Sequence, residues 1–406
     1  MSLENDQPAY VGPAFEGVDI LDPDVHTDDP WPLYTWLREE RPAHWDEANQ
    51  LWTISRYDDV AWISKDPETF TSTEGNRPHL PPDSSFIHKD GPDHTRQRRL
   101  VSMKFTPSYI ASLEPWIRGI VRERIDAVRA DGRCEFVSAI SAAVPMRVIA
   151  GKLGSPPEDD DKLMDWVDRF QRGGCGPQYV TDDVEEAFGE FAEWHYELKE
   201  KILARPEPED DLLTHWLGVE QDGEPLDEDQ ILFDHTMVLV GGSETTRNVI
   251  SAGLEVFSRQ PDQWEALKAD PAGLMPTAIE EIIRWSTPFI SMCRTATRDA
   301  QVQGETIEEG QMIKLLYPAA NRDPRIFERA DEFDIRRPLD PPHIAFGLGT
   351  HLCLGMSLAR LEIRVLLEEL MRTLPDIRID PDRPPVRRPS SFIRGFDSAH
   401  VVFTPA

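Results

Sequence analysis

"HIAFGLGTHLCLG" occupies residues 343–355 and decides the fold, because it places one cysteine among glycines just before a helical run. Gly347, Gly349 and Gly355 let the backbone approach a flat molecule closely. Cys353 precedes the helical run that begins near Gly355, and the free N–H groups of a helix start stabilise a thiolate. No second cysteine or histidine follows at the short spacing of a zinc site.

A single cysteinate beside a planar molecule is an arrangement that binds haem. Phe346 is placed to stack along the edge of such a molecule. The alternative interpretation is a buried, inert cysteine in a glycine-rich turn.

The bulk composition limits the functions that the chain can have. Its 406 residues include 39% hydrophobic residues, and no run of about 18 apolar residues would form a membrane anchor. The N-terminus lacks the order of a signal peptide, and the four cysteines show no CxxC pattern, so we expect a cytoplasmic protein. A net charge of −31 argues against a nucleic-acid partner.

Helical periodicity dominates the chain to about residue 290, after a hairpin pattern at 44–57. The longest predicted helix covers 227–259, is apolar on most sides and should pass through the core. Residues 300–340 are interpreted as irregular. The sequence therefore predicts a mainly α fold with small peripheral sheets, as a single domain over 1–406.

The cysteine loop resembles the haem-binding signature of the cytochromes P-450, with six specified positions in the ten residues 346–355. Glu281 and Arg284 look like the ExxR pair of that family, in which an arginine of the later "meander" completes the network; Arg336 or Arg337 is the candidate. Ala330 stands where a proline is common in the family. The resemblance implies the cytochrome P-450 fold, with haem between the long helix and the cysteine loop with its following helix.

The resemblance also implies which residues hold haem b. Cys353 would be the axial iron ligand. His94 and Arg98, four residues apart on one helix face, would bind the haem propionates, although such a pair is otherwise a solvated helix face. The complete cofactor-binding set is His94, Arg98, Arg294, Phe346, Gly347, His351, Cys353 and Gly355.

"VGGSETTR", residues 240–247, places two glycines in the middle of the long helix, where each costs on the order of 1 kcal/mol relative to alanine. Such a weak point permits a kink beside a small ligand. The resemblance assigns Glu244 as the acid and Thr245 as the alcohol of oxygen activation, with aspartate commoner than Glu244 in the family. The alternative is ordinary core packing with a back-bonding threonine.

An apolar substrate pocket follows from the family's substrate-contact segments. Its predicted residues are Phe86, Ile87, Met237, Val238, Gly241, Phe289, Ile290, Met292, Phe392 and Ile393. Longer stretches, including "MVLVGGSETTR" and "FIRGFDSAHVVFTP", resemble mycobacterial-type enzymes that oxidise the side chain of cholesterol or cholestenone. The alternatives are a terpenoid, a fatty acid or another lipid as substrate, or a haem-thiolate sensor without catalysis.

No flavin or iron–sulfur motif is present, so a monooxygenase of this kind would take electrons from a ferredoxin and an NAD(P)H-dependent ferredoxin reductase, together with molecular oxygen. Ferredoxins are usually acidic, and this chain is acidic too. Docking would therefore need a local basic patch near the cysteine. Its candidate residues are Arg98, Arg99, Lys104, Arg360 and Arg364, each of which could instead be a solvated cation.

Overall fold

The computed structural model describes residues 15–221 and 224–406, in which α-helices build the largest part of the core. The α-helices are α1 (Trp31–Glu40), α2 (Tyr57–Lys65), α3 (Gly91–Ser102), α4 (Pro107–Ser112), α5 (Glu114–Val128), α6 (Ala143–Lys152), α7 (Asp160–Gly173), α8 (Asp182–Leu203), α9 (Leu212–Leu217), α10 (Glu228–Arg259), α11 (Pro261–Ala269), α12 (Pro271–Ser286), α13 (Tyr317–Ala320) and α14 (Met356–Thr373).

Short strands form the remaining regular structure. They are β1 (Ala43–Asp46), β2 (Leu51–Ile54), β3 (Phe70–Thr71), β4 (Arg133–Glu135), β5 (Glu220–Gln221), β6 (Glu224–Pro225), β7 (Ser291–Ala296), β8 (Ala300–Val302), β9 (Glu305–Ile307), β10 (Met312–Leu316), β11 (Arg378–Ile379), β12 (Val386–Arg388), β13 (Gly395–Ser398) and β14 (His400–Val402). The mainly α prediction with small sheets is confirmed.

Helix α10 confirms the long helix predicted over 227–259. Asp227 caps it by accepting a hydrogen bond from the Gln230 N–H, and the helix continues through both glycines. The interior of α10 carries buried charges, among them Glu244 and Arg247. In the described part of the chain, no helix combines the length and the apolar character needed to cross a membrane.

The largest sheet has the strand order β1-β2-β10-β7-β3. The predicted hairpin is confirmed as β1 and β2, but the irregular interpretation of 300–340 is wrong for residues 300–316, which contain β8, β9 and β10. The pattern was missed because β10 lies between β2 and β7 and is buried at every residue, so it lacks alternation. Even Lys314 is fully buried there, with Nζ donating to the Ile20 carbonyl at 2.8 Å.

His26 makes the stability of this fold dependent on pH. It is fully buried, with Nδ1 2.8 Å from the Tyr34 hydroxyl and Nε2 2.9 Å from the Ile20 carbonyl. Burial, followed by the charge of Lys314, lowers its pKa from 6.5 to about 3. Between pH 6.5 and pH 3 the His26 side chain is therefore protonated in the unfolded chain and neutral in the folded chain. The free energy of unfolding consequently decreases as the pH falls from 6.5 towards 3.

For His26→Gln we expect a smaller loss of stability in acid. By proton linkage, His26 alone removes about 2 kcal/mol from the free energy of unfolding between pH 7 and pH 5. Denaturant titrations at both pH values should show a drop about 2 kcal/mol smaller in the variant than in the wild-type chain. Equal drops in the two proteins would contradict the assignment.

Candidate active site

A cavity lies between α10, the Cys353 loop and the segments at 76–87 and 288–294. Helices α3 and α14 complete its walls. Most of its lining is apolar, and several of its polar groups are residues that the sequence had singled out. The cavity therefore has the character of a site for a large apolar ligand.

The glycine-rich loop presents the Cys353 thiol to this cavity. The Cys353 N–H donates to the Phe346 carbonyl at 2.8 Å, which closes the loop, and Gly347 and Gly349 have φ values of +68° and +71°. Such values favour glycine. A Cβ on Gly349 would also collide with the Ser64 carbonyl oxygen.

The electrostatics of Cys353 fit a thiolate that binds a metal cation. Burial raises the pKa of the thiol. Hydrogen bonds from the backbone of Gly355 and Met356 at the start of α14, and the charges of Arg98 and Arg360, oppose that rise. An iron ion bound to the sulfur would supply the remaining positive charge.

His94 and His351 meet at the edge of the cavity, with their ring centres 4.5 Å apart. His351 Nε2 lies 3.0 Å from Asp90 Oδ1, whereas the buried His94 Nε2 has no hydrogen-bond partner among the described residues. Burial lowers the pKa of His94 to about 4, and the neighbouring His351 and Arg98 act in the same direction.

Two arginines complete this group of donors. Arg98 donates to the carbonyl oxygens of Thr350 and Leu352, which joins α3 to the cysteine loop. Arg294 is buried and lines the cavity, and its side chain donates only to the Cys293 carbonyl within the described residues. Unsatisfied donors and buried cations here fit the carboxylates of a haem whose iron binds the facing thiol.

The ExxR prediction matches a buried network behind the cavity. Arg284 binds both carboxylate oxygens of Glu281, at 2.8 and 2.9 Å. Arg337, rather than the exposed Arg336, completes the network with Nε donating to Glu281 Oε2 at 2.9 Å. The Ala330 carbonyl accepts from Arg284 Nη1 at 2.9 Å. Alanine at this position, where the family commonly has proline, therefore still joins the network through its backbone.

Glu244 and Thr245, the predicted acid and alcohol of α10, point in different directions. Thr245 lines the cavity, and its hydroxyl donates to the Gly241 carbonyl at 2.9 Å. Glu244 is buried on another side of the helix, where Oε1 accepts from Arg247 Nη1 at 2.7 Å. Arg247 also binds Asp168, so an ion-pair network extends from Glu244 away from the cavity.

The two glycines of α10 have separate functions. A Cβ on Gly242 would lie 2.5 Å from Ile149 Cγ1 of α6, whereas a Cβ on Gly241 would meet nothing within 4 Å and would point into open space. Close helix packing therefore requires Gly242, and Gly241 leaves room beside Thr245.

This difference predicts opposite effects for two matched variants. We expect Gly242→Ala to destabilise the protein by about 1–3 kcal/mol through overpacking. Gly241→Ala should be neutral or stabilising by up to about 1 kcal/mol, because alanine favours the helix. Denaturant unfolding of both variants measures this, and equal destabilisation would contradict the packing argument.

Most predicted pocket residues line the cavity: Phe86, Ile87, Met237, Val238, Gly241, Phe289 and Met292. Ile290, Phe392 and Ile393 do not. Ile290 precedes β7, and its backbone bonds to Phe392 and Tyr317 turn its side chain into a core cluster with Leu51. Phe392 and Ile393 pack together with Cys175 behind Phe289.

Several polar residues of the cavity wall had no individual role predicted from the sequence, among them Asn76, Arg77 and Glu362. Asn76 and Arg77 lie in the loop before α3, and Glu362 lies on α14. Burial raises the pKa of Glu362 well above its ordinary value. No spacing pattern marks these positions, because their contact with the cavity depends on segments far apart in sequence.

Four of the five predicted docking cations already have partners. Arg360 makes a bidentate pair with Glu280, at 2.7 and 2.8 Å. Arg364 pairs with Glu114 and Glu368, Lys104 pairs with Asp210, and Arg98 binds the cysteine loop. Arg99 is exposed and has no hydrogen bond or ion pair with the residues that the structure describes. Of the five predicted cations, it is therefore the one whose guanidinium group is free to bind a partner.

Comparison with known proteins gives consistent matches. The family model described as cytochrome P-450 matches residues 178–392. A curated relative, "Steroid C26-monooxygenase" of Mycolicibacterium smegmatis, is 39% identical over 92% of each chain. Among solved structures, CYP109E1 of Bacillus megaterium in complex with testosterone has a TM-score of 0.85 and 29% identity, covering 92% of this chain and 98% of that one.

A second solved structure resembles this chain almost as closely while holding a very different molecule. It is a mutant of the cytochrome P-450 EryK in complex with erythromycin B, with a TM-score of 0.83 and 28% identity, and it covers 92% of this chain and 96% of that one. The shared fold therefore accommodates dissimilar ligands, and the substrate has to be argued from the cavity.

Proposed function

Because this chain belongs to the cytochrome P-450 family and is a haem-thiolate monooxygenase, we propose that its substrate is a steroid hydroxylated on its side chain. We further propose that the electrons come from a ferredoxin and its NAD(P)H-dependent reductase. The observation that carries the substrate proposal is the large apolar cavity in which the Cys353 thiol faces the helix wall of Gly241 and Thr245. The mycobacterial relative named as a steroid C26-monooxygenase supports the steroid class.

Different residues of the chain bind the iron and the propionates of haem b in this proposal. We propose that Cys353 binds the iron and that His94, Arg98 and Arg294 bind the propionates, with His351 held beside them by Asp90. When bound, haem supplies oxygen activation and the capacity to oxidise an unactivated C–H bond. The protein supplies orientation and excludes water from the apolar cavity.

Proton supply is the second task of α10. Thr245 places a hydroxyl at the cavity wall, where its oxygen can accept a hydrogen bond while its proton is donated to the Gly241 carbonyl. Glu244 connects through Arg247 to Asp168, and Arg388 joins Asp168 to Asp397. Asp168 and Asp397 are 34% and 47% exposed, so this network reaches solvent. Because Arg247 and Arg388 stay protonated, they position the carboxylates and carry no proton themselves. We propose that Glu244 exchanges its proton with water that enters along this network and delivers it to the cavity when its side chain turns from Arg247 towards Thr245.

Electron delivery requires a partner that docks near Cys353. We place its contact at Arg99, since the other predicted cations are already paired. Arg99→Glu should slow reduction by an acidic ferredoxin at low salt. Arg172→Glu makes the same charge change at an exposed side chain of α7 and should leave the rate of reduction unchanged.

A ligand screen tests the substrate proposal. Sterols, terpenoids and fatty acids are titrated against the haem spin-state change, and the ligands that bind are then incubated with ferredoxin, reductase and NADH for product analysis. A steroid hydroxylated on its side chain is the expected product. Preferential turnover of a terpenoid or fatty acid would replace the steroid proposal, and binding without any product would favour a sensor.

A further inference from the structure

Arg77 is a half-buried cation in the wall of a cavity whose lining is mostly apolar. Its guanidinium carbon lies 3.8 Å from the centre of the Phe392 ring and 5.9 Å from that of Phe289. Nη1 donates to Asn76 Oδ1 at 3.0 Å and lies 3.0 Å from Met292 Sδ. These contacts fix the plane of the guanidinium group before any ligand arrives.

The remaining hydrogen-bond donors of Arg77 and Asn76 have no acceptor in the described part of the chain. Nε and Nη2 of Arg77 make no hydrogen bond within residues 15–221 and 224–406, and Arg77 forms no ion pair there. Asn76 is 3% exposed, and its Nδ2 is buried without a partner among the same residues. Because Asn76 Oδ1 accepts from Arg77, the free atom of the amide is its donor.

The charge of Arg77 persists at neutral pH. Burial lowers its pKa to about 10, and the nearest carboxylate acting on it, Asp83, is engaged with His88 and Ser85. A guanidinium that packs against apolar side chains without a counter-charge is an attractive partner for a carboxylate or sulfate, which would form charge-assisted hydrogen bonds with it. A ketone or hydroxyl accepts a hydrogen bond but brings no charge.

Arg77 and Asn76 lie on a different wall of the cavity from Cys353, and Arg294, a proposed propionate contact, lies on the same wall as the pair, two residues after Met292 on β7. Arg77 packs against Phe289, Met292 and Phe392, whereas the cysteine loop and α14 form a different wall. A ligand that reaches both walls would place one end at Arg77 and its other end near the thiol.

We propose that Arg77 and Asn76 form an oxyanion subsite, which binds a carboxylate or sulfate at the end of an apolar substrate opposite to the carbon that is oxidised. This inference rests on the proposed function and narrows its substrate class to amphipathic acids or sulfate esters. The fork of Arg77 takes two oxygens of the anion, and Asn76 Nδ2 donates to it as well.

Three ligand pairs that differ in charge at one end test the subsite. They are cholesterol sulfate and cholesterol, cholesterol hemisuccinate and its methyl ester, and palmitic acid and its methyl ester. Dissociation constants come from the spin-state change of the haem-loaded enzyme. We expect the wild type to favour the anion in at least one pair, and Arg77→Gln to reduce that preference about tenfold to a hundredfold. The first two pairs distinguish a sulfate from a carboxylate.

Two further variants make the test specific. Asn76→Asp places a carboxylate beside an intact Arg77 and should also abolish the preference. Arg259→Gln removes an equal charge from a side chain that is 72% exposed and should preserve it. The carbon monoxide spectrum and haem content are measured for each protein, so that loss of the fold is not read as loss of preference.

The outcomes separate this inference from the steroid proposal. Hydroxylation of neutral steroids without any charge preference overturns the subsite alone, and a preference seen only with palmitic acid supports the subsite and overturns the steroid class. If Arg77→Gln lowers the haem content while its remaining haem-loaded fraction keeps the charge preference, Arg77 is assigned to a haem propionate and the inference is overturned.

Discussion

Cys353→His is expected to abolish the thiolate-type carbon monoxide spectrum and monooxygenase turnover. The Cys353 thiol lines the cavity and receives backbone hydrogen bonds at the start of α14, where negative charge is stabilised. Histidine binds iron as a neutral donor and removes the electron density that the thiolate gives to the metal. The reduced carbon monoxide difference spectrum, with haem content determined in parallel, measures the change.

The other cysteines provide matched controls. Cys134, Cys175 and Cys293 are free thiols away from the loop, and burial raises the pKa of Cys134 to about 12 and that of Cys293 to about 11. Their replacement by alanine should leave the thiolate spectrum intact. A thiolate spectrum retained by Cys353→His would show that another ligand holds the iron.

Features specified by local sequence were predictable. Asp227 and Pro261 bound α10 at the predicted ends, and the glycines around Cys353 produced the loop. These signals act through capping, backbone freedom and periodicity within a few residues. For the same reason the choice between Arg336 and Arg337 stayed open, since only the folded meander decides which of two adjacent side chains faces Glu281.

Features that depend on distant segments were not predictable. Lys314 is buried in β10, although a lysine in sequence indicates a surface position. Arg360 seemed available to a redox partner because its partner Glu280 lies 80 residues earlier, on α12. Glu244 and Thr245 must point in different directions, since adjacent residues of a helix lie about 100° apart. Which of them faces the cavity depends on how α10 packs against α7, and the sequence does not reveal that.

Thr245→Ala is expected to separate NADH consumption from product formation. The change removes a hydroxyl at the cavity wall but leaves the Cys353 loop and the apolar lining in place, so substrate affinity should change little. Without an ordered hydroxyl to direct a proton, reduced oxygen should leave more often as hydrogen peroxide. Peroxide per NADH should rise and hydroxylated product should fall, while Thr245→Ser, which keeps the hydroxyl, should restore most of the coupling.

Glu244→Gln should instead slow turnover, because the carboxylate that exchanges protons is lost while the shape of the side chain is kept. Arg247 retains Asp168 as a charged partner, and Arg388 retains Asp168 and Asp397, so the network should hold its position. A slower rate with unchanged substrate affinity is therefore the expected signature of a proton-delivery role. Product and peroxide per NADH, measured with the same ferredoxin and substrate for both variants, decide the matter: unchanged coupling in Thr245→Ala together with an unchanged rate in Glu244→Gln would reduce this pair to helix packing.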